Sequence, residues 1–518
     1  MLAKEIDVKE EKYEDKEKEA DFETAIAATG FGKFNFLLIL LALPSGWAAM
    51  FDSTAMAYVV PSAHCDLNLS LEGRGMLNAI SYLGMISSAF IWGFLADAFG
   101  RKKLLVIGYG LDAFFVFIAG LSQNFEMLMA AKFMTGFVIN GPFAALTSAL
   151  SEFHSAKYRA KLLISLGVIY NFANLFLPLL AWGILPQNWD VSKDNFNLHS
   201  WNFFILICTL PSLISTIGHS FLPESPKFLM TSGKNEVALK VFQQIYSMNT
   251  GKSTEKFPIK ILIDENYIEG NNNNNNNKRT TKEKLCEGFR HIKTLFLPPH
   301  LINIVLVCLM FMGGMCGANT LRLWLPQIFT AINDYQAKYA KTASLCEMLE
   351  IITPNQNVSS NVECIVNKSV GGVYTNVLII GAASIITTII ASIVINKVGK
   401  KSLLVVLGTI SGISGFCIYF AQNIATTTAL SAIFISLLGV CINVQLSVVV
   451  DLFPTTLRTF AISLALMIGR MGAMGGNVIF PILLELGCLP PFILIGSCIL
   501  IAVLITFLIP NTDMKALQ

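Results

Sequence analysis

The chain reads as an all-α membrane protein, with twelve transmembrane helices in two six-helix bundles, on three observations. It is 54% hydrophobic and only 14% charged, against roughly 25% charged in an average soluble domain. Apolar stretches long enough to cross a bilayer recur along it, six on each side of one long polar break. Two separate loops of the first half reappear in the second at a constant offset.

A helix needs about 20 apolar residues to cross the hydrocarbon core. Stretches of that kind lie near 34–61, 76–97, 103–122, 126–151, 161–186, 201–222, 301–330, 373–396, 402–422, 425–451, 459–485 and 489–510. The organisation expected is a tail at 1–33, a six-helix bundle at 34–222, a linker at 223–300, a second bundle at 301–512 and a tail at 513–518. The linker holds a run of seven asparagines, Asn271 to Asn277, and reads as too polar to build a core, with short helices at its start.

Positive charge is retained on the cytoplasmic side. With both termini inside, the cytoplasmic segments hold 29 of the 37 Lys and Arg residues and the opposite loops hold 5. The first residues lack the apolar core of a cleavable signal, so a retained, cytoplasmic N-terminus is expected. The external loop 331–370, between spans seven and eight, carries the sequons at Asn357 and Asn367 and the cysteines Cys346 and Cys364. Glycans and a Cys346–Cys364 disulfide suit an oxidising, glycosylating compartment; chance occurrence is the competing reading.

The loop after span two, Gly93 to Leu105, reads GFLADAFGRKKLL, and the loop after span eight, Ser392 to Leu404, reads SIVINKVGKKSLL. Gly100 matches Gly399 and Arg101 matches Lys400, an offset of 299; Asp97 has Asn396 as its counterpart. The loops after spans four and ten repeat that offset, with Glu152 and Arg159 answered by Asp451 and Arg458. Two loops in one register indicate duplication of a six-span unit, as in many secondary transporters. Gly93 and Gly100 permit a tight turn, and a carboxylate beside a neighbouring helix's arginine can form a gating network that holds one conformation and releases in another. Plain anchoring of basic loops to the anionic inner leaflet is the alternative.

The segment Gly93 to Lys103 resembles the signature loop of the major facilitator superfamily, and Leu222 to Leu229, LPESPKFL, resembles the end of the first half in its sugar-transporter-like members. More closely, the chain resembles the synaptic vesicle glycoprotein 2 family. The matching pieces are GFGKF at Gly30 to Phe34, Asp52 in span one, YLGM at Tyr82 to Met85, WGFLAD at Trp92 to Asp97, SEF at Ser151 to Phe153 and AWGILP at Ala181 to Pro186. The resemblance covers about 22–512 and implies the major facilitator fold. Departures are Ala55 where relatives carry a second acidic residue, Ala98 where the signature loop has a basic one, Asn396 for the second aspartate, and a short external loop.

A charge inside a span costs about 2.5–3.5 kcal/mol on insertion scales, so each is a candidate site residue. Asp52 is read as a coupling or substrate-binding carboxylate, against helix packing; Lys132, where superfamily members often carry an arginine, is read as a proton-transfer residue, against a permanent pair with Asp52 or Asp112. Arg470, in GRMGAMGG, is expected to face the cavity. Asp112 and Tyr170 complete the substrate or coupling set, and Arg322 is placed near the external end of span seven, where it can snorkel to the interface.

No phosphate-binding loop, hydrolytic triad or metal-ligand spacing occurs, so an enzyme and a cofactor are not expected. The scattered basic residues offer no nucleic-acid face. The expectation is a proton-coupled carrier of a small organic solute in a plasma or vesicle membrane, with the lipid bilayer as its other partner; the competing function is a non-transporting receptor or trafficking scaffold on the same fold. If the topology holds, glycosidase treatment of the protein expressed in a eukaryotic cell lowers its apparent mass, and the double variant Asn357→Gln, Asn367→Gln shows no such shift; an unchanged mass before substitution places that loop in the cytoplasm.

Overall fold

The computed structural model describes residues 19–193, 196–263, 295–298, 300–339, 341, 343–350 and 371–510. The first half comprises α1 (Phe22–Ala28), α2 (Lys33–Thr54), α3 (Met56–Ala63), α4 (Leu71–Phe99), α5 (Arg101–Gly120), α6 (Phe125–Glu152), α7 (Ala156–Ile184), α8 (Ser200–Cys208) and α9 (Leu210–Phe221). After α10 (Pro226–Thr231) and α11 (Asn235–Thr250) the second half runs α12 (His300–Tyr339), α13 (Leu345–Leu349), α14 (Gly371–Val398), α15 (Lys400–Cys417), α16 (Ile424–Leu452), α17 (Thr455–Leu486) and α18 (Leu489–Leu508). Counting α2–α3 and α8–α9 as single broken spans, the helices fill twelve spanning positions. Among the described residues ten meet the length and apolarity of a membrane crossing. The other two, α4 and α7, have 29 residues each, enough for about 43 Å at 1.5 Å per residue.

Helices are the required solution here, because hydrocarbon offers no water to satisfy backbone N–H and C=O groups. Their ends carry the polar caps: Ser70, Asn124 and Asn423 accept hydrogen bonds from the first turns of α4, α6 and α16.

The internal repeat is visible atom by atom. Gly100 and Gly399 share one backbone conformation, φ 88° and ψ 161° against φ 86° and ψ 153°. Arg101 bonds Glu152 at 3.2 Å, and Lys400 bonds Asp451 at 2.5 Å. Asn124 and Asn423, also 299 apart, each cap their helix at 2.8 Å. The two ion pairs stay within their own halves, tying the end of the fourth or tenth span to the preceding loop.

Three features depart from the sequence reading. The start of the linker is not too polar to pack: Val241, Phe242, Ile245, Phe257 and Leu262 are buried with Phe22 and Ile26 of α1, and residues 19–20 pair in parallel with 261–262. The α11 sequence carries its apolar residues at helical spacing, which the lysines around them conceal in a bulk count. The asparagine run lies outside the described residues.

Helix α12 continues nine residues past the expected boundary at 330, because Ala331, Ile332 and Tyr335 are buried against α13, and Tyr335 donates to Glu347 at 2.5 Å. The disulfide there joins Cys346 to Cys488, between α17 and α18, and not to Cys364. Spacing along the loop favours a local pair, but α13 packs back toward the bundle, with Leu345 N–H donating to the Ala421 carbonyl. Cys364, Asn357 and Asn367 lie outside the described residues.

The halves meet both at the end of the bundle away from the linker and deeper along the helices. The Gly75 Cα of α4 approaches α17 so closely that an added Cβ would sit 2.6 Å from the Asn477 carbonyl oxygen and 2.7 Å from Pro481. Gly381 of α14 packs on Asn174 and Leu175 of α7.

Gly100 offers a test of the repeated turn. Its φ is one that side chains rarely adopt, and a Cβ there would lie 2.6 Å from Glu224 Oε2. Gly100→Ala is expected to lower unfolding stability in detergent by about 1–3 kcal/mol, read as a fall in thermal midpoint; an unchanged midpoint would show that the turn tolerates another backbone conformation.

Candidate functional site

Helices α2, α5, α6 and α9 converge inside the first half on a cluster of charges that sequence spacing alone does not bring together. Lys132 Nζ of α6 bonds Asp52 Oδ1 of α2 at 3.3 Å, with both side chains buried. Asp112 of α5 faces Asp52 and accepts a hydrogen bond from Ser212 Oγ of α9 at 2.5 Å. Asp52 Oδ2 and Asp112 Oδ1 are buried without a donor. Two carboxyls and one ammonium thus share a dry site that lacks one positive charge when both acids are ionised.

Asp52 does not face the seam between the halves. The seam cavity near the middle of the bundle is about 40 Å³ and takes Thr54, Tyr58, Asn174, Arg322 and Ser384 as its polar lining. Asp52 therefore does not meet a cationic solute in this state, and its charge is already answered by Lys132. Arg470 of α17 crosses the seam, with Nη1 donating to Asn140 Oδ1 of α6 at 2.6 Å, while Asn140 Nδ2 bonds the Met85 carbonyl. Tyr82 Oη donates to Asn319 Oδ1 at 3.2 Å, a second polar contact between the halves.

Arg322 is the residue that the sequence reading misplaced. Helix α12 runs 17 residues past Arg322 to Tyr339, and the side chain turns to the space between the halves. It points into the seam cavity beside Tyr58. Tyr170 packs on Gly46, tilted against Phe143 at 5.4 Å, and its hydroxyl is buried without a partner. A larger apolar groove of about 1090 Å³ runs along α2, α9 and α11; its rims, including Leu40, Ile214 and Phe221, are exposed, as lipid-facing side chains are.

Of the gating set, Arg101 with Glu152 and Lys400 with Asp451 are brought together. Arg159 Nη1 instead bonds Glu23 of α1 at 2.6 Å, and its Nε donates to the Ser151 and His154 carbonyls. Arg458 Nε is buried with no hydrogen-bond partner among the described residues. Gly93 lies within α4, and the side chains of Asp97 and Asn396 lie outside the described residues. Glu224 was passed over by the sequence reading as a site residue: its Oε1 accepts from the Lys102 N–H at 3.0 Å, capping α5, where a carboxylate suits the helix dipole.

The sequence pattern of the Major Facilitator Superfamily matches residues 34–354. The chain belongs to the major facilitator superfamily. A second pattern, "Sugar (and other) transporter", matches residues 361–518, so the superfamily's signature extends through both halves. The chain is similar to synaptic vesicle glycoprotein 2B of Rattus norvegicus, 34% identical over 254 residues, covering 48% of this chain and 37% of that protein. It is also similar to synaptic vesicle glycoprotein 2B of Homo sapiens, 28% identical over 357 residues, covering 65% of this chain and 51% of that protein. The chain thus spans about a third to a half of the length of these relatives. In fold it matches the inward open conformation of the xylose transporter XylE from E. coli, with TM-score 0.65 and 15% identity over 93% of this chain and 98% of that one. The nucleoside transporter NupG matches with TM-score 0.56 and 12% identity over 92% and 98% of the two chains. The protein is accordingly a multi-pass membrane protein with the superfamily's twelve-helix architecture.

Removing one member of a buried ion pair leaves an uncompensated charge. Lys132→Met is expected to cost about 3–5 kcal/mol of stability, with part regained in Lys132→Met, Asp52→Asn; thermal midpoints of the purified variants measure it. A double variant no more stable than Lys132→Met would mean that Lys132 answers Asp112 instead.

Proposed function

We propose that this superfamily member is a secondary transporter that carries a small organic solute by alternating access, with the Asp52–Lys132–Asp112 cluster as its proton-coupling site. The observation that carries the reading is the buried charge cluster itself. Two carboxyls and one ammonium in hydrocarbon are costly, and uptake of one proton between Asp52 Oδ2 and Asp112 Oδ1 neutralises the group. A scaffold without transport needs no such group. The seam supplies the second requirement: polar side chains from both halves meet near the membrane's middle, where secondary transporters of this repeat type hold solute.

Both termini are assigned to the cytoplasm, supported by the distribution of lysine and arginine and by the Cys346–Cys488 disulfide at the opposite end from the linker. In that orientation the close approach of Gly75 to α17 is on the external side, and the loop pairs Arg101–Glu152 and Lys400–Asp451 anchor the cytoplasmic side. Asp97 and Asn396 belong to the same loops and are assigned to gating with Arg159 and Arg458. The competing reading, a receptor or trafficking scaffold, draws on the similarity to vesicle glycoproteins.

The test is solute uptake into proteoliposomes, from a broad metabolite panel, with and without an imposed pH gradient. Gradient-driven accumulation of at least one solute is expected. Asp52→Asn should abolish accumulation while solute exchange survives, because a neutral amide imitates the protonated acid. Loss of both activities together would make Asp52 a solute-binding residue. No uptake of any solute by a correctly folded protein would favour the scaffold.

A further inference from the structure

The seam cavity has a charge that the coupling cluster does not use. We infer that the solute is an organic anion of the carboxylate type, bound by Arg322; this rests on the transporter reading for its movement and on the cavity alone for its binding. The guanidinium lines the cavity with Thr54, Tyr58, Asn174 and Ser384, and no acidic residue contributes to that lining. Its electrostatic neighbours are the phenols of Tyr58 and Tyr82, and among the described residues no carboxylate pairs with it. The acids of the first half are engaged elsewhere, since Asp52 and Asp112 gather around Lys132.

Depth makes the unpaired charge consequential. Asn174 stands ten residues from the end of α7, and Gly381 ten from the start of α14, about 15 Å at 1.5 Å per residue. The cavity therefore lies well inside the stretch these helices span, away from their ends. A permanent cation there, without a counter-charge, is costly unless water or an anion meets it. The second seam cation has the same character: Arg470 donates to an amide, Asn140, and not to an acid. The seam therefore carries two positive charges and attracts a negative solute. Arginine's planar fork suits a carboxylate, to which it can donate two parallel hydrogen bonds. Leu177, Val377 and Ile380 line the rest of the cavity, so the remainder of the solute meets an apolar wall. A volume of about 40 Å³ holds waters and not a solute, so binding requires the halves to part.

The test is equilibrium binding to the purified full chain, read by thermal stabilisation, using matched carboxylates and amides: benzoate with benzamide, lactate with lactamide, and nicotinate with nicotinamide, plus phenyltrimethylammonium as a cation. At least one carboxylate should bind at least about tenfold more tightly than its amide. Arg322→Gln should erase that preference, and Arg322→Lys should retain part of it, since the charge stays and the fork is lost. Ser384→Asp, which sets an acid against Arg322 without removing it, should also abolish carboxylate binding. This second variant keeps the test sharp if Arg322→Gln does not fold. Equal binding of acids and amides, binding of the cation, a preference that survives both Arg322→Gln and Ser384→Asp, or no carboxylate binding at all would each overturn the inference. Uptake of the bound carboxylate into proteoliposomes is measured separately. Binding through Arg322 without uptake would refute the transporter reading while sustaining anion recognition, whereas uptake of neutral solutes that is indifferent to Arg322 would do the reverse.

Discussion

Hydrocarbon provides neither water nor counter-ions, and most of this structure follows from that single constraint. Backbone groups must bond within their own segment, which makes every crossing a helix. Charges must be paired or face a cavity, which draws Lys132 onto Asp52 and places Asp112 against the hydroxyl of Ser212. The polar caps, loop ion pairs and basic clusters all sit at helix ends, where the constraint relaxes.

Within those limits the two halves divide their electrostatic roles. The first half keeps its acids in its own core, away from the seam. The second half sends Arg322 and Arg470 toward the seam, where their partners are phenols and an amide. In the proposed mechanism, proton handling and solute contact thus fall on different surfaces of the same molecule. Coupling between them, in the proposed mechanism, must pass along α2, which carries Asp52 as well as Thr54 of the seam cavity, two residues apart.

The duplication contributes geometry more than chemistry. The glycine turn, the loop ion pair and the asparagine cap recur at an offset of 299, so the loops of both halves are built alike. The buried charges have diverged: Asp112 and Lys132 have Ser411 and Ser431 at the same offset, and neither restores an ion pair. The turn geometry recurs in both copies, whereas the buried charge cluster is found in the first.

Hydropathy and the repeated loops were sufficient, from sequence alone, for the spans and the two-half organisation, because each depends on local composition or on a fixed register, while the superfamily fold was implied by the resemblance of the loop motifs. The buried charges were legible as candidates for the same reason: an ionisable residue in an apolar stretch stands out wherever it lies. Their partners were not, since Asp52, Asp112 and Lys132 are brought together by helix packing across 80 residues of chain. Tertiary structure alone decided that Cys346 pairs with Cys488, that α1 and α11 share a small core, and that Arg322 lines the seam cavity. Each of these depends on where a helix ends or which distant segment it meets, and a helix's own periodicity does not name the segment that covers its apolar face.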